Sequence, residues 1–308
     1  MTMGKRSPAR IDRRHSPGIW RRHGEKYLMM APYLLLFLLF TIIPVLMSVV
    51  LGFTDFNLLE MPHFVGLENY RKLFLEDDVF LISVKNTLVF AFVTGPISYF
   101  LSLMLAWFIN ELRPAARAAF TFLFYCPSLA GNMYTIWSAI FSGDIYGLAN
   151  STLMGMGLIN DPIKWLSDPS YMLGIIMVIQ LWMSMGAGFL AFIAGLQNVD
   201  RSLYEAGALD GVRNRWQELI HITLPSMGPQ LLFGAVMQIS SSFAAGRICI
   251  ELAGNPSTDY AANTIITHIV DFGTTRYEMG YASAIATILF AVMVLTNQFI
   301  SRFLKRFT

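Results

Sequence analysis

Between two long apolar stretches lies a polar segment that reads Asp200-Arg-Ser-Leu-Tyr-Glu-Ala-Gly-Ala-Leu-Asp-Gly211, followed after ten residues by Ile222-Thr-Leu-Pro225. Ser202 and Glu205 have the spacing of a capping box, which predicts that a helix starts near Ser202. Gly211 is a natural stop for this helix, because glycine accepts the left-handed conformation that ends helices. A second helix is expected over roughly residues 214–220, before Pro225 opens the next apolar stretch. The segment therefore predicts a helix–glycine–helix loop.

The two flanking stretches belong to a set of six runs that contain no Asp, Glu, Lys or Arg. The chain is 55% hydrophobic and 14% charged, with a mean hydropathy of +0.53, whereas soluble domains carry about 25% charged residues. Each run has at least 23 residues, and about 20 residues of helix cross a ~30 Å hydrocarbon core. The runs are 28–54, 86–110, 118–143, 169–199, 219–246 and 279–301. They predict an all-α membrane protein with six transmembrane helices, and the shorter run 145–160 is expected to be interfacial or external.

The basic residues predict the orientation. Of the 22 Lys and Arg residues, 16 lie in four segments. These are the N-terminal segment, the connection between the second and third runs, the connection between the fourth and fifth runs, and the C-terminal segment. Because such residues favour the cytoplasm, both termini and the polar loop are predicted to be cytoplasmic. Residues 1–27 then form a basic cytoplasmic segment ahead of a six-helix domain over 28–308. This segment could instead bind nucleic acid, but basic residues beside a span usually contact anionic lipid. The expected partner is therefore the lipid bilayer and not nucleic acid.

A cleaved signal peptide is the alternative for the first run. That run has 27 uncharged residues, whereas a signal core has about 7–15. No small-x-small cleavage site follows it. The run is therefore expected to remain as a spanning helix.

The polar loop, residues 200–225, resembles the signature loop of binding-protein-dependent ABC importer permeases. In that family the pattern reads Glu-Ala-Ala, three residues, Gly, nine residues, then Ile-x-Leu-Pro. This chain departs from it at Gly207, which replaces the second alanine, and by one extra residue between Gly211 and Ile222. The resemblance implies the type I importer permease fold, with the loop docked on a separate ATPase. The residues it assigns to coupling are Glu205, Ala206, Gly207, Asp210 and Gly211.

Further motifs resemble the carbohydrate, maltose-transporter-like branch of this family. They are Pro32-Tyr-Leu, Phe64-Val-Gly-Leu-Glu-Asn-Tyr70, Leu252-Ala-Gly-Asn-Pro256 and Ala282-Ser-Ala-Ile-Ala286. The branch implies a multi-pass subunit of the cytoplasmic (inner) membrane that imports a sugar or oligosaccharide. The partners it implies are a second homologous permease, two ATP-binding-cassette ATPase subunits and an extracellular solute-binding protein.

No phosphate-binding loop of the form Gly-x-x-x-x-Gly-Lys-Ser/Thr occurs in the chain. ATP and Mg²⁺ are therefore expected on the partner ATPase, and this chain is expected to be a transport subunit without a cofactor, not an enzyme. His221 and His268, with Asp271 and Glu278, lack the spacing of a metal site. We expect these four residues to lie at the surface.

Polar residues inside the runs are candidates for a substrate path. They are Gln180 and Ser184, then Gln238, Ser241 and Ser242, and also Ser128 and Asn132. Amides and hydroxyls suit the hydroxyl groups of a sugar, and Trp182 or Phe243 could stack on a pyranose face. The alternative role is hydrogen bonding between helices, which such residues commonly provide in membranes.

Arg247, at the outer end of the fifth run, has three possible roles. Its side chain can extend to the membrane interface, pair with Glu251 four residues later, or meet an anionic sugar such as a uronate. The residues alone leave these alternatives open.

Two other classes of function fit the sequence less well than an importer. An ion-coupled secondary transporter would normally carry intramembrane carboxylates and inverted repeats, yet all six runs lack Asp and Glu. An intramembrane enzyme would need a set of catalytic side chains at span depth, and none is found in the runs. Both classes are disfavoured.

Overall fold

The computed structural model describes residues 19–130 and 133–304, which divide into two compact units at residues 47 and 48. Within these residues the chain is helical apart from its connections and one isolated bridge between Thr54 and Phe64. Asn132, most of the predicted basic segment, Lys305 and Arg306 lie outside the described residues.

The first apolar run, most of which lies in the first unit, forms a helix interrupted by one wide turn. Helix α1 spans Ile19–Phe37, a π-helical turn spans Leu38–Ile42, and α2 continues over Ile43–Leu51. Together they contain a largely apolar segment of 26 residues, Lys26–Leu51, of which none is buried. The helix thus already starts inside the segment that was predicted to precede the first span.

The second unit contains the remaining helices. In chain order they are α3 Glu68–Leu75, α4 Asp78–Asn110, α5 Pro114–Leu129, α6 Met133–Ile140, α7 Leu148–Gly155, α8 Pro169–Met183, α9 Ala187–Asn198, α10 Arg201–Leu209, α11 Arg215–Glu218, α12 Leu224–Ser226, α13 Gly228–Phe243, α14 Gly246–Ala253, α15 Ile265–Val270 and α16 Met279–Leu304. π-Helical turns join α11 to α12 over Leu219–Thr223 and follow α15 over Asp271–Thr275. The short run 145–160 therefore contains one helix, α7.

The predicted runs and the observed helices agree in part. Four continuous segments among the described residues are long and apolar enough to cross a membrane: Lys26–Leu51, Asp78–Asn110, Pro169–Asn198 and Met279–Phe303. The fifth run is divided into Arg215–Ser226 and Gly228–Phe243, which meet at 86°. The third run is divided between α5 and α6. At a rise of ~1.5 Å per residue, the 16 residues of α5 cover only about 24 Å.

Helix α4 lies at the centre of the second unit and packs against α8, α9 and α13. Buried residues near its Asn110 end, among them Leu103 and Trp107, share one apolar cluster with Phe189 and Phe192 of α9. Near its Asp78 end, Phe80 belongs to a second cluster with residues of α13, α15 and α16. Because α4 contributes to both clusters, it connects the two ends of this unit.

Candidate functional site

The polar loop begins with a well-formed cap at Asp200. Its carboxylate accepts a hydrogen bond from the backbone N–H of Ser202 at 3.0 Å, and this bond lowers the pKa of Asp200. The prediction of a capping box between Ser202 and Glu205 is wrong, although the helix does start beside Ser202, at Arg201. An aspartate caps a helix at least as well as serine and its charge also suits the positive end of the helix dipole. Asp200 therefore takes the capping role.

Gly211 ends the first helix of the loop as predicted. Helix α10 stops at Leu209, and Gly211 follows with φ of +93°, a conformation that side chains rarely adopt. Space around it is open, since an added Cβ would meet no atom within 4 Å. Glycine is thus required here by the backbone angle and not by crowding.

The five residues assigned to coupling have two different environments. Gly207 is buried, and an added Cβ would come within 2.5 Å of Ile222 Cδ1. The small residue therefore permits close contact inside this chain. Glu205, Ala206, Asp210 and Gly211 are exposed.

The exposed side of α10 also carries apolar side chains. Leu209 is 90% exposed and Leu203 is 45% exposed. Leu209 lies four residues after Glu205 and therefore on the same side of α10, which gives that side a mixed apolar and acidic character. That composition is typical of a surface that meets a protein partner.

The second helix of the loop starts where it was predicted but continues differently. Asn214 caps α11 by accepting a hydrogen bond from the N–H of Gln217 at 2.8 Å. After Glu218 the chain widens into the π-helical turn Leu219–Thr223. A π-helical turn holds one residue more than an α-helical turn. It therefore offers a place for the extra residue between Gly211 and Ile222.

The loop is connected to the Asn110 end of α4. Arg215 lies 2.7 Å from Glu218 and 3.0 Å from Glu111, the residue that follows α4. The rings of Trp216 and Trp107 are 5.0 Å apart. Beside these contacts is a cavity of about 390 Å³ lined mainly by polar side chains, including Arg117 and Arg201.

Three of the predicted path residues take part in hydrogen bonds between or within helices. Gln238 is 3% exposed and its Nε2 donates to Ser102 Oγ at 3.2 Å and to the carbonyl of Ser184 at 3.1 Å. Ser242, also 3% exposed, donates to the carbonyl of Gln238 at 2.8 Å. The hydroxyl of Ser184 donates to the carbonyl of Leu181. In this chain these side chains have the environment expected of the helix-packing alternative.

Gln180 and Ser241 are less enclosed. Both are half-buried, and Gln180 Nε2 donates to Ser241 Oγ at 3.4 Å, which is a long hydrogen bond. Trp182, two residues further, is also half-buried and packs edge-on against Trp137 at 5.1 Å. Phe243 is 4% exposed and belongs to the core. Of the predicted path, Gln180, Ser241 and Trp182 retain the accessible surface that a sugar would need.

Ser128, the remaining described candidate for the path, is exposed as well and donates to the carbonyl of Tyr125 at 2.8 Å. Arg247 lies 3.9 Å from Glu251, and its guanidinium is 5.9 Å from the centre of the Tyr134 ring. The predicted pairing with Glu251 is thus present at the limit of an ion pair, and the arginine side chain is 69% exposed.

His268 corrects the expectation of a surface residue. It is 2% exposed, and its Nε2 lies 2.8 Å from Asp77 Oδ2, which also accepts a hydrogen bond from the hydroxyl of Tyr281 at 2.7 Å. His221 is exposed as expected, while Asp271 and Glu278 are partly buried and pair with Arg276 and Lys72. Asp77 and His268 are 191 residues apart, so no local pattern could have revealed their contact.

Asp77 also caps α4 by accepting the N–H of Phe80 at 2.8 Å. Partial burial acts to raise the pKa of Asp77, but the hydrogen bonds from His268, Tyr281 and Phe80 together lower it from 3.8 to about 2. The carboxylate therefore stabilises the fold fully above about pH 4 and loses this effect as the pH falls through about 2. This cluster fixes the Asp78 end of α4 to α15 and α16.

Within residues 19–130 and 133–304, no group of three or more His, Cys, Asp or Glu residues is arranged to hold a metal ion. Cys126 and Cys249 are both free. The side chains brought together in the described part of the chain are therefore suited to helix capping, ion pairing and aromatic contact.

Long apolar helices joined by a capped polar loop define a polytopic membrane protein whose candidate site is the exposed part of that loop. Residues 79–308 match the family model of the binding-protein-dependent transport system inner membrane component, and the chain belongs to this family. The resemblance found in the loop sequence is confirmed.

Relatives in Bacillus subtilis (strain 168) cover most of the chain. The probable ABC transporter permease protein YesP is 30% identical over 273 residues, 87% of this chain and 86% of the relative. The arabinooligosaccharides transport system permease protein AraP is 30% identical over 280 residues, 90% of this chain and 88% of the relative. The lactose transport system permease protein LacF of Rhizobium radiobacter is 33% identical over 213 residues, 68% of this chain and 70% of the relative. These relatives are named as permeases, which confirms the prediction of a transport subunit rather than an enzyme.

A solved structure agrees with the fold. A chain of a bacterial ABC transporter involved in the import of the acidic polysaccharide alginate superposes with a TM-score of 0.74 at 25% identity, covering 92% of this chain and 96% of that chain. An all-helical permease fold of the ABC importer type is therefore confirmed.

Proposed function

We propose that this chain is one membrane subunit of an ATP-binding-cassette importer that carries a sugar or oligosaccharide into the cytoplasm. Its relatives are named for the transport of arabinooligosaccharides and lactose, which supports a carbohydrate substrate. A second homologous permease, two ATPase subunits and an extracellular solute-binding protein complete the assembly. ATP and Mg²⁺ belong to the ATPase subunits, and this chain binds neither.

The proposed arrangement in the membrane has six spans and cytoplasmic termini. In it α5 and α6 together form the third span, and the bent pair that ends in α13 forms the fifth. The loop over residues 200–225 then faces the cytoplasm, in agreement with the distribution of Lys and Arg. Gln180 and Ser241, with Trp182 beside them, are the proposed contacts of the sugar within the membrane, while Ser184, Gln238 and Ser242 support them through the hydrogen bonds already described.

The observation that carries the proposal is the exposed face of α10. Glu205 and Ala206 are exposed on α10, whose buried residue Gly207 lies against Ile222, and Asp210 is exposed directly after the helix. A short helix that packs against its own chain through one residue and is otherwise exposed is suited to bind in a groove on a partner. The partner proposed for this face is the ATPase subunit.

The test replaces Gly211 by valine, which resists a positive φ at a cost of roughly 1–2 kcal/mol. We expect Gly211→Val, and Glu205→Lys on the face itself, to leave the chain inserted in the membrane but to abolish co-purification of the ATPase or its stimulated ATP hydrolysis. Gly157→Val is the matched control, because Gly157 has φ of +70° and equally open surroundings in a different connection. Wild-type co-purification and hydrolysis in both loop variants would contradict the coupling assignment.

A further inference from the structure

The coupling loop has two routes by which a displacement of α10 could reach the spanning helices. The direct route follows the chain through Met227 into α13, but the helices on either side of Met227 meet at 86°. Because the two helix axes are nearly perpendicular, a displacement of the loop along one axis does not move α13 along its own axis. The second route is lateral, through contacts between the loop and the Asn110 end of α4.

The lateral route starts with contacts that hold α10 against the π-helical turn Leu219–Thr223, so that the loop moves as a rigid unit. The hydroxyl of Tyr204 on α10 lies 2.9 Å from Thr223 Oγ1 at the end of the π-helical turn. Gly207 lies against Ile222 of the same turn. A displacement of α10 therefore also displaces α11 and the turn that follows it, despite the open surroundings of Gly211.

Arg215 connects the loop to the end of α4 through its ion pair with Glu111. One terminal nitrogen of its guanidinium is 2.7 Å from Glu218 within α11, and the other is 3.0 Å from Glu111 at the end of α4. Because the guanidinium is planar and binds two carboxylates at once, it fixes both the distance and the angle between the two helices. Glu218 belongs to the chain between α10 and α13, whereas Glu111 follows α4 and lies outside it, so the contact with Glu111 is the lateral step.

Apolar contacts run parallel to this ion pair. Trp216, next to Arg215, has its ring 5.0 Å from that of Trp107 on α4. Leu219 is 2% exposed and belongs to the same buried cluster as Trp107. The ion pair sets the position of the loop, and these contacts resist its separation from α4.

The connection between α4 and α5 is itself braced. Arg117 Nη2 donates to the carbonyl of Asn110 at 2.8 Å and to that of Leu112 at 3.3 Å. These bonds hold the turn that carries Glu111 against both helices. Glu111 is therefore a firm point of attachment for Arg215.

We propose that Arg215 and Glu111 are positioning residues that join the coupling loop to α4, so that loop and helix move together when the ATPase changes state. Helix α4 then passes the movement to the path, because its Ser102 accepts the hydrogen bond from Gln238. This inference rests on the proposed function and adds a lateral connection to it.

The test measures whether the loop and the end of α4 keep their separation when ATP binds. Spin labels are placed at Arg201→Cys on α10 and Ala115→Cys on α5, both exposed, in a chain without Cys126 and Cys249. The labelled chain is assembled with its ATPase subunits and diluted with unlabelled chain. The distance between the labels is measured by pulsed electron paramagnetic resonance without nucleotide and with ATP plus EDTA, which permits binding and prevents hydrolysis.

In the parent chain we expect the same narrow distance distribution in both states. In Glu111→Gln and Arg215→Gln we expect it to broaden, or to shift by about 2 Å or more when ATP binds, the scale of helix shifts in switching proteins. Arg215→Lys, which keeps the charge but not the planar fork, should give an intermediate result. Arg113→Gln removes a neighbouring exposed charge that has no ion pair among the described residues, and it should behave as the parent chain.

Distributions that stay narrow and unshifted in both Glu111→Gln and Arg215→Gln would overturn the inference, as would a shift in the parent chain itself. Co-purification of the ATPase with each variant is measured first. Loss of the ATPase from the parent chain would refute the proposed function, whereas binding by every variant with unchanged distances would refute only the lateral connection.

Discussion

At its Asp78 end, α4 is held by buried hydrogen bonds, whereas at its Asn110 end it meets the coupling loop through an exposed ion pair and an aromatic contact. The side chains of His268 and Asp77 are 3% and 11% exposed, against 63% and 44% for Arg215 and Glu111. A buried pair is strongly destabilising to break, while an exposed pair contributes about 0–1 kcal/mol. The comparison teaches that the buried pair stabilises the fold, whereas the exposed pair sets the orientation of the loop on α4 and adds little to the free energy of unfolding.

Removing the buried acid should have the largest effect on stability. Asp77→Ala leaves His268 and Tyr281 without their acceptor and uncaps α4, so we expect the free energy of unfolding to fall by about 3 kcal/mol or more. Denaturant unfolding of the purified chain in detergent measures this. Asp78→Ala, an exposed acid one residue later, is the control and should change stability by about 0.5 kcal/mol. Equal effects of the two substitutions would show that the Asp78 end is not an anchor.

Asn86 gives an intermediate test of the same end. It is 8% exposed, and its Nδ2 lies 2.9–3.2 Å from the carbonyls of Tyr260, Ala261 and Asn263. We expect Asn86→Ala to cost about 1–3 kcal/mol, because buried carbonyls lose their donor. Lys85→Ala, exposed on the same helix, controls for helix propensity in the same unfolding measurement. A loss below that of Lys85→Ala would mean that this end is held by apolar packing alone.

The smallest effect on stability is expected at the other end. Glu111→Gln and Arg215→Gln should each change the free energy of unfolding by at most about 1 kcal/mol, since both side chains are exposed. A double-mutant cycle on unfolding, with both substitutions combined, measures the energy of the pair itself. A pair energy above about 2 kcal/mol would contradict the contrast between the two ends, because the loop contact would then be as firm as the anchor.

Much of the fold follows from local composition. Uncharged runs revealed the membrane class, and the order of residues around Glu205 and Gly211 revealed the loop, because helix starts and stops depend on neighbouring residues. The breaks within the apolar runs do not follow from apolar composition, which does not report the path of the backbone. The partner of His268 lies 191 residues away, and such contacts exist only once the helices have packed.

The candidate site shows the same division. The sequence marks Gly207 as a departure from the family pattern, but only the fold shows that its small size leaves room for Ile222 of the same chain. For Gln238, polarity within an apolar run suggested two roles, and its hydrogen bonds to Ser102 and Ser184 favour helix packing in this chain. Residue type thus indicated which side chains were unusual, while their neighbours decided what each one does.

The π-helical turn Leu219–Thr223 allows the length of the loop to change without a change in the membrane helices. In a regular helix, one additional residue would rotate everything that follows by about 100°, turning the apolar face of the fifth span away from its neighbours. A wide turn absorbs that residue locally. A loop built in this way can lengthen by one position without forcing α13 to repack. The sequences of the polar loop and of α13 can then change independently of each other.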